Sequence, residues 1–182
     1  MTFRREALFS EQARAEVIKT LALAESDGGW PLAMLDAIEP RLSRGLMGWT
    51  AKDYGAIRRA QEMGDLAACP LASELAQTVS LLPRWEGDAT FFSKNATWIE
   101  RLATGFLELR SFMGCCAPGY TFAYVSCPRA TLQFANLKSA RLIGGLTREN
   151  LEREVLLLPG TRFHVVDIDK LTNTVHLAED VS

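Results

Sequence analysis

The chain of 182 residues is poor in metal-ligating side chains. It has two histidines, His164 and His176, and four cysteines, Cys69, Cys115, Cys116 and Cys127, with no CxxC pair among them. That set lacks the ligand spacings of a structural zinc site. Adjacent Cys115 and Cys116 cannot readily bridge each other, and a chain this long does not need a disulfide scaffold, so reduced thiols are expected. Charge of neither sign dominates: 20 Lys and Arg against 22 Asp and Glu leave a formal net charge of -2. The basic excess with which a general nucleic-acid binder displaces counterions from phosphate is therefore missing. No apolar run approaches the ~20 residues of a membrane span. The N-terminal stretch carries Arg4, Arg5, Glu6, Glu11 and Arg14, so it has no apolar signal-peptide core. Neither GxxxxGKS/T nor GxGxxG occurs, and there is no internal repeat.

What remains is ordinary globular composition, 48% hydrophobic and 23% charged, which suits one domain over 1–182. The first half has helical period. Ser10 is placed to cap a helix carrying Val17, Leu21 and Ala24, which Asp27-Gly28-Gly29 ends. Pro31 suits the first turn of a second helix with Leu35, Ile38 and Leu42, which Pro40 should kink or end. Thr50 is a good N-cap for a third helix, with Asp53 at the acidic position of a capping box and Tyr54 and Ile57 facing inward. A fourth opens near Pro70, carries Leu71, Leu75, Val79 and Leu82, and stops at Pro83. The second half changes period. A strand is predicted at 89–92, a helix over 96–109, and a loop from Gly114 to Gly119. Strands follow at 120–126, 140–146 and 152–158, with a terminal hairpin of 162–168 and 173–178. Helices over about 1–88 followed by strands over about 89–182, without βαβ alternation, predict an α+β fold.

The most informative stretch is Glu152-Arg153-Glu154-Val155-Leu156-Leu157-Leu158-Pro159-Gly160-Thr161-Arg162-Phe163. On a strand, residues two apart share a face, so Glu152 and Glu154 are expected to project together. Two acids on one face raise each other's pKa and suit stabilising a developing cation while activating a nucleophile. A solvated strand end bearing two surface acids has the same pattern.

This string resembles the ExE strand of the ADP-ribosyltransferases of the bacterial-toxin kind, where Glu-x-Glu is followed by apolar residues, Pro-Gly-Thr and an alternating strand. Other segments are similar in the same order. Trp49-Thr50 with Tyr54 and Ile57 resembles the family's helical-lobe signature, Leu75 to Gly87 its last helix and the turn into the first strand, and Thr121 to Ser126 its Gly-Phe-Thr-Ser-Thr-Ser strand. The resemblance runs from about Trp49 to Leu177. It implies a helical lobe followed by a mixed or antiparallel β-sandwich core with an NAD cleft. It also implies an enzyme that cleaves the nicotinamide–ribose bond of NAD, used as substrate, and transfers ADP-ribose to a protein side chain without a metal. Glu154 would stabilise the cationic ribose, Glu152 would position or deprotonate the acceptor, the loop 147–151 would read the target, and Ser126 would support the Glu.

Two departures stand out. The family's first strand ends in an aromatic followed by Arg-Gly, and that Arg grips the NAD phosphates; here the matching residues are Phe91, Phe92 and Ser93. The first serine of the Ser-Thr-Ser strand is Tyr124. Phe92, Ser93, Tyr124 and Ser126 are thus the candidate NAD contacts, with Lys94, Arg129 and Arg141 as candidate replacements for the missing charge. The departures point to a divergent branch of bacterial effectors, delivered to the host cytoplasm, some of which modify ubiquitin on threonine. Two competing expectations remain. One is a binding module on the same fold without NAD chemistry. The other is a thiol enzyme using Cys115, Cys116 or Cys127 with His164. Trp30, Trp49, Trp85 and Trp98 are expected to pack in the core or the lobe.

Overall fold

A computed structural model describes residues 40–51, 53–80, 82, 84–120, 127–143 and 153–180. The helices expected around 11–26 and 31–39 lie outside them, as does the strand expected at 121–126. Three helices open the described part: α1 (Pro40–Thr50), α2 (Tyr54–Met63) and α3 (Pro70–Val79), with a short 3-10 turn at Leu66–Ala68. Pro40 is the first residue of α1, where a proline gives up an N–H that has no helical partner in the first turn, and the helix expected before it lies outside the described residues. Thr50 is not an N-cap. It is the last residue of α1, and its hydroxyl donates back to the Leu46 carbonyl at 3.0 Å. Asp53 takes the N-cap position of α2, and Gly64, at φ 70°, closes that helix in the left-handed conformation that glycine tolerates best.

α1 lies very close to α3. A methyl built on Gly45 would stand 2.5 Å from the Leu75 nitrogen and 2.8 Å from the Glu74 carbonyl carbon, so only glycine admits this approach. Leu46, Trp49, Ile57, Leu75, Val79 and Leu82 form the lobe's core with Phe112, Ile143 and Leu156 from the sheet. Each such aliphatic side chain removed from water contributes about 1.5–3 kcal/mol, which clamps the lobe to the sheet edge.

The strands are β1 (Gly87–Ser93), β2 (Phe106–Glu108), β3 (Met113–Cys116), β4 (Ala130–Leu137), β5 (Arg141–Leu142), β6 (Glu154–Leu157), β7 (Arg162–Asp169) and β8 (Thr174–Glu179). They join in one mixed sheet, ordered β2-β7-β8-β4-β1-β3-β6-β5. Among the described residues, only β4 and β8 pair in parallel. Helices first and a mixed sheet after make the fold α+β, as the sequence predicts.

Three local expectations change. The helix predicted over 96–109 is only α4 (Trp98–Leu102); Gly105, at φ 92°, ends it, and Phe106–Glu108 pairs with β7. The loop predicted at 114–119 begins as β3, because the Met113-Gly114-Cys115-Cys116 backbone finds ladder partners on both sides. β4, an eight-residue strand, was not anticipated at all. The terminal hairpin forms as expected, with Asp169 accepting from the Leu171 and Thr172 backbone and from the Thr172 hydroxyl.

Alternation sorts the sheet into two faces. Ala89, Cys115, Leu132, Phe134, Val155, Phe163, Val175 and Leu177 fill the core. The other face is covered by the helical lobe near β3 and β6 and carries polar side chains across β1, β4, β8 and β7.

Candidate active site

β6 begins at Glu154. Arg153 just before it adopts φ 36°, in the left-handed region, at a cost of about 1–3 kcal/mol for a non-glycine residue. Strand alternation therefore does not run back through Arg153, and the argument that paired Glu152 with Glu154 by period fails at that residue. Glu152 itself lies outside the described residues. Arg153 holds its guanidinium 6.0 Å from the centre of the Tyr120 ring, and its carbonyl accepts from the Ala117 N–H at 3.1 Å.

Both edges of Glu154 are occupied. Cys116 of β3 is its cross-strand partner, and on the other side the Ile143 N–H donates to the Glu154 carbonyl at 2.9 Å. The strand that pairs with the acid is therefore Met113–Cys116, which puts Gly114, Cys115 and Cys116 beside it. Tyr124 and Ser126 lie outside the described residues.

Glu154 is only 8% exposed. The Trp49 indole N–H donates to its Oε1 at 2.9 Å. The carboxylate also lies directly over Gly114, where a methyl would collide with Oε1. A buried carboxylate needs such a donor, because losing water without one costs several kcal/mol.

Cross-strand partners share a face, and the pairings trace one row across six strands. Glu154 stands beside Cys116, Cys116 beside Thr90, Thr90 beside Gln133, Gln133 beside His176, and His176 beside Asp167. At about 4.8 Å per strand, the row from Glu154 to His176 is roughly 19 Å long. Its far part is the floor of an open cavity of about 530 Å³, which Thr90, Pro118, Gln133, Asp167 and His176 help to line. Glu154 and Cys116 are themselves buried and do not line that cavity; the open part of the row begins at Thr90.

Phe91 and Phe92 part company by strand alternation. Phe91 turns to the core and meets Trp98 edge-on at 6.0 Å. Phe92 turns to the Glu154 face and packs on Cys116. Ser93 is on the core side, 7% exposed, where its hydroxyl accepts from the Asn95 N–H at 3.0 Å and the Trp98 indole at 3.1 Å. The structure therefore brings Phe92 to Glu154's face and keeps Ser93 away from it. Of the candidate cations, Lys94 and Arg129 are exposed at the end of β1. Arg141 is engaged with the Val79, Ser139 and Ala140 carbonyls, and burial together with nearby Arg84 lowers its pKa.

For Cys115 and Cys116 the thiol reading loses its geometry. Cys115 is fully buried, and burial first, then Cys116 and Glu154, pushes its thiol well above the usual value. His164 is on β7, four strands away from β3, and is exposed. Sequence reasoning singled out Trp49 for the helical lobe and Cys116 as a thiol but set neither beside Glu154, and it took Gly114 as loop. A buried indole usually finds a partner for its N–H, which was the available signal for Trp49.

Comparison with protein-family models gives no match, and neither does comparison with curated sequences. Solved structures do match. The type III effector XopAI from Xanthomonas axonopodis pv. citri is 15% identical, with a TM-score of 0.64 over 95% of this chain and 89% of that one. The ADP-ribosyltransferase HopU1 of Pseudomonas syringae pv. Tomato DC3000 is 12% identical, with a TM-score of 0.62 over 94% and 98%. Exoenzyme S from Pseudomonas aeruginosa, bound to Carba-NAD in a complex with human 14-3-3 protein beta, is 12% identical, with a TM-score of 0.59 over 91% and 82%. The chain has the fold of these bacterial toxins and effectors over most of its length.

Proposed function

We propose that the protein is a mono-ADP-ribosyltransferase that transfers ADP-ribose from NAD to a side chain of a protein target. The single observation that carries this reading is Glu154: a buried, indole-bound carboxylate at the start of a strand, in the same cross-strand row as an open cavity, in a chain with this fold. In the reaction, the bond between C1′ of the ribose and the nicotinamide nitrogen breaks. Nicotinamide leaves with the bonding pair, and the ribose becomes cation-like. Glu154 is the anion that stabilises that charge, an interaction that grows only as the bond breaks. An oxygen or nitrogen of the target then bonds to C1′ and gives up its proton, and Glu152 is the base assigned to that proton by the ExE resemblance. The Phe92 ring, on Glu154's face, is the candidate contact for the dinucleotide where the family carries arginine.

The acceptor is an oxygen or guanidinium side chain of a host protein, ubiquitin threonine being the candidate that the divergent effector branch suggests. Delivery of this bacterial protein to the host cytoplasm belongs to the same proposal. A second reading, a binding module that has lost NAD chemistry, is favoured by Phe92 packing on Cys116 in place of a phosphate-gripping arginine. Incubation of wild type and Glu154→Ala with biotin-labelled NAD and a host lysate separates the two. The enzyme labels a protein and the variant does not. Equal labelling by both sinks the role of Glu154, and no labelling by either, with no NAD cleavage, selects the module.

A further inference from the structure

We propose that Trp49 is a positioning residue for Glu154: its indole N–H fixes the orientation of the carboxylate, and Gly114 provides the room for that contact. The inference rests on the transferase reading and goes beyond it by assigning the support of the acid to the helical lobe.

The residues beside Glu154 on its sheet are the first argument. Its neighbour strand places Gly114 and Cys116 on the acid's face, and neither carries a hydroxyl. A thiol is a weak donor and glycine has no side chain, so this strand offers the carboxylate no strong side-chain donor. A strong donor reaches it from α1: the indole of Trp49, 105 residues away in sequence, at 2.9 Å from Oε1.

The second argument is rigidity. Trp49 is 6% exposed and meets the Phe112 ring edge-on at 5.9 Å. It belongs to the lobe core with Leu46, Ile57 and Leu75, so its ring has little freedom to turn. An indole is a donor only, so it serves the ionised carboxylate and cannot accept a proton from it. A carboxylate held this way is set in direction before the substrate arrives, which is what stabilising a developing charge requires.

The third is Gly114. A methyl there would collide with Oε1 and would stand 3.6 Å from the indole Cζ2. Gly114 has no left-handed backbone conformation to explain it, so the closeness of the carboxylate and the ring is what the missing side chain accommodates.

The test uses Trp49→Phe, which keeps a ring and removes the N–H, and Gly114→Ala, which keeps the indole and displaces the carboxylate. Steady-state release of nicotinamide from NAD is measured alongside thermal melting. Both variants are expected to melt as folded proteins and to lose roughly ten- to a hundredfold in kcat, the worth of a hydrogen bond to a charged group, while KM for NAD stays within about twofold. The Trp49 indole resonance in a 1H–15N spectrum, identified by its loss in Trp49→Phe, is expected to move in Glu154→Gln and in Gly114→Ala. Wild-type kcat in either folded variant overturns the proposal, and so does an indole resonance indifferent to Glu154→Gln. If the wild type releases no nicotinamide, the transferase reading falls by itself, and the resonance alone then decides whether the indole holds the carboxylate.

Discussion

Replacing Gly45 by alanine sets two effects of known size against each other. In a helix interior, alanine is favoured over glycine by about 1 kcal/mol, so propensity alone predicts a more stable protein. The packing predicts the reverse. The new methyl would stand 2.5, 2.8 and 2.9 Å from three backbone atoms of Glu74 and Leu75. Ordinary carbon contacts begin near 3.5 Å, so α1 and α3 must part by roughly 1 Å. Backbone in a helix cannot step aside as a side chain can, which places the overpacking near the upper end of its usual range, about 3 kcal/mol. The net loss is about 2 kcal/mol, and for a chain of this length the melting temperature falls by roughly 4–8 °C. Gly48 is the internal control. A methyl there meets the Leu71 Cδ1 at 2.9 Å, a flexible side-chain end, so Gly48→Ala is expected to be near neutral. Circular-dichroism melts of the two variants measure this. A Gly45→Ala protein as stable as wild type, or a Gly48→Ala loss equal to it, refutes the reasoning. Because α1 carries Trp49, Gly45→Ala is also expected to lower catalysis in the fraction that remains folded.

Two pH effects follow from the titrating groups. The Cys115 thiol is raised, so its contribution to stability is complete below the unfolded thiol value of about 8.5 and is lost as pH climbs from there toward the higher folded value. Alkaline unfolding should therefore be delayed in Cys115→Ala relative to its own neutral-pH stability, as denaturant titrations at several pH values will read. Asp169 has the opposite sign. The Thr172 hydroxyl first, then the Leu171 and Thr172 N–H groups, hold its pKa below the usual carboxylate range. Its support of the hairpin is present above the unfolded value of about 3.9 and fades as pH falls through the folded one. Asp169→Asn should weaken hydrogen-exchange protection of β7 and β8 at neutral pH and remove that acid dependence.

The architecture was legible where the chain's periods are strong. Pro70 with Leu75 and Val79 marked α3, and the alternation of 162–168 and 173–178 marked the hairpin. Elements misread were those in which tertiary pairing overrides local signals. Met113-Gly114-Cys115-Cys116 reads as loop because glycine and the following Pro118-Gly119 punctuate it, yet two strands flank and order it. Trp98 to Leu109 reads as one apolar stripe, but Gly105 divides it between α4 and β2. Glu154 was visible as a candidate because an acid opening an apolar strand is out of place. Its partners were not, because Trp49 lies 105 residues away and nothing in the local sequence says where an indole N–H will point. The period argument that joined Glu152 to Glu154 assumed an extended Arg153, and φ 36° at that residue could not be read from its side chain.

The central claim is that the Glu154 carboxylate drives cleavage of the nicotinamide–ribose bond. Glu154→Gln tests it most directly, because the amide keeps the shape and an acceptor for the Trp49 indole while removing the charge. Nicotinamide release from NAD by the wild type and by this variant, matched in melting temperature, is the measurement. The prediction is a measurable wild-type rate and a loss of about 10²–10³ in the variant, the usual worth of one group that stabilises transition-state charge. Equal rates in the two proteins would contradict it.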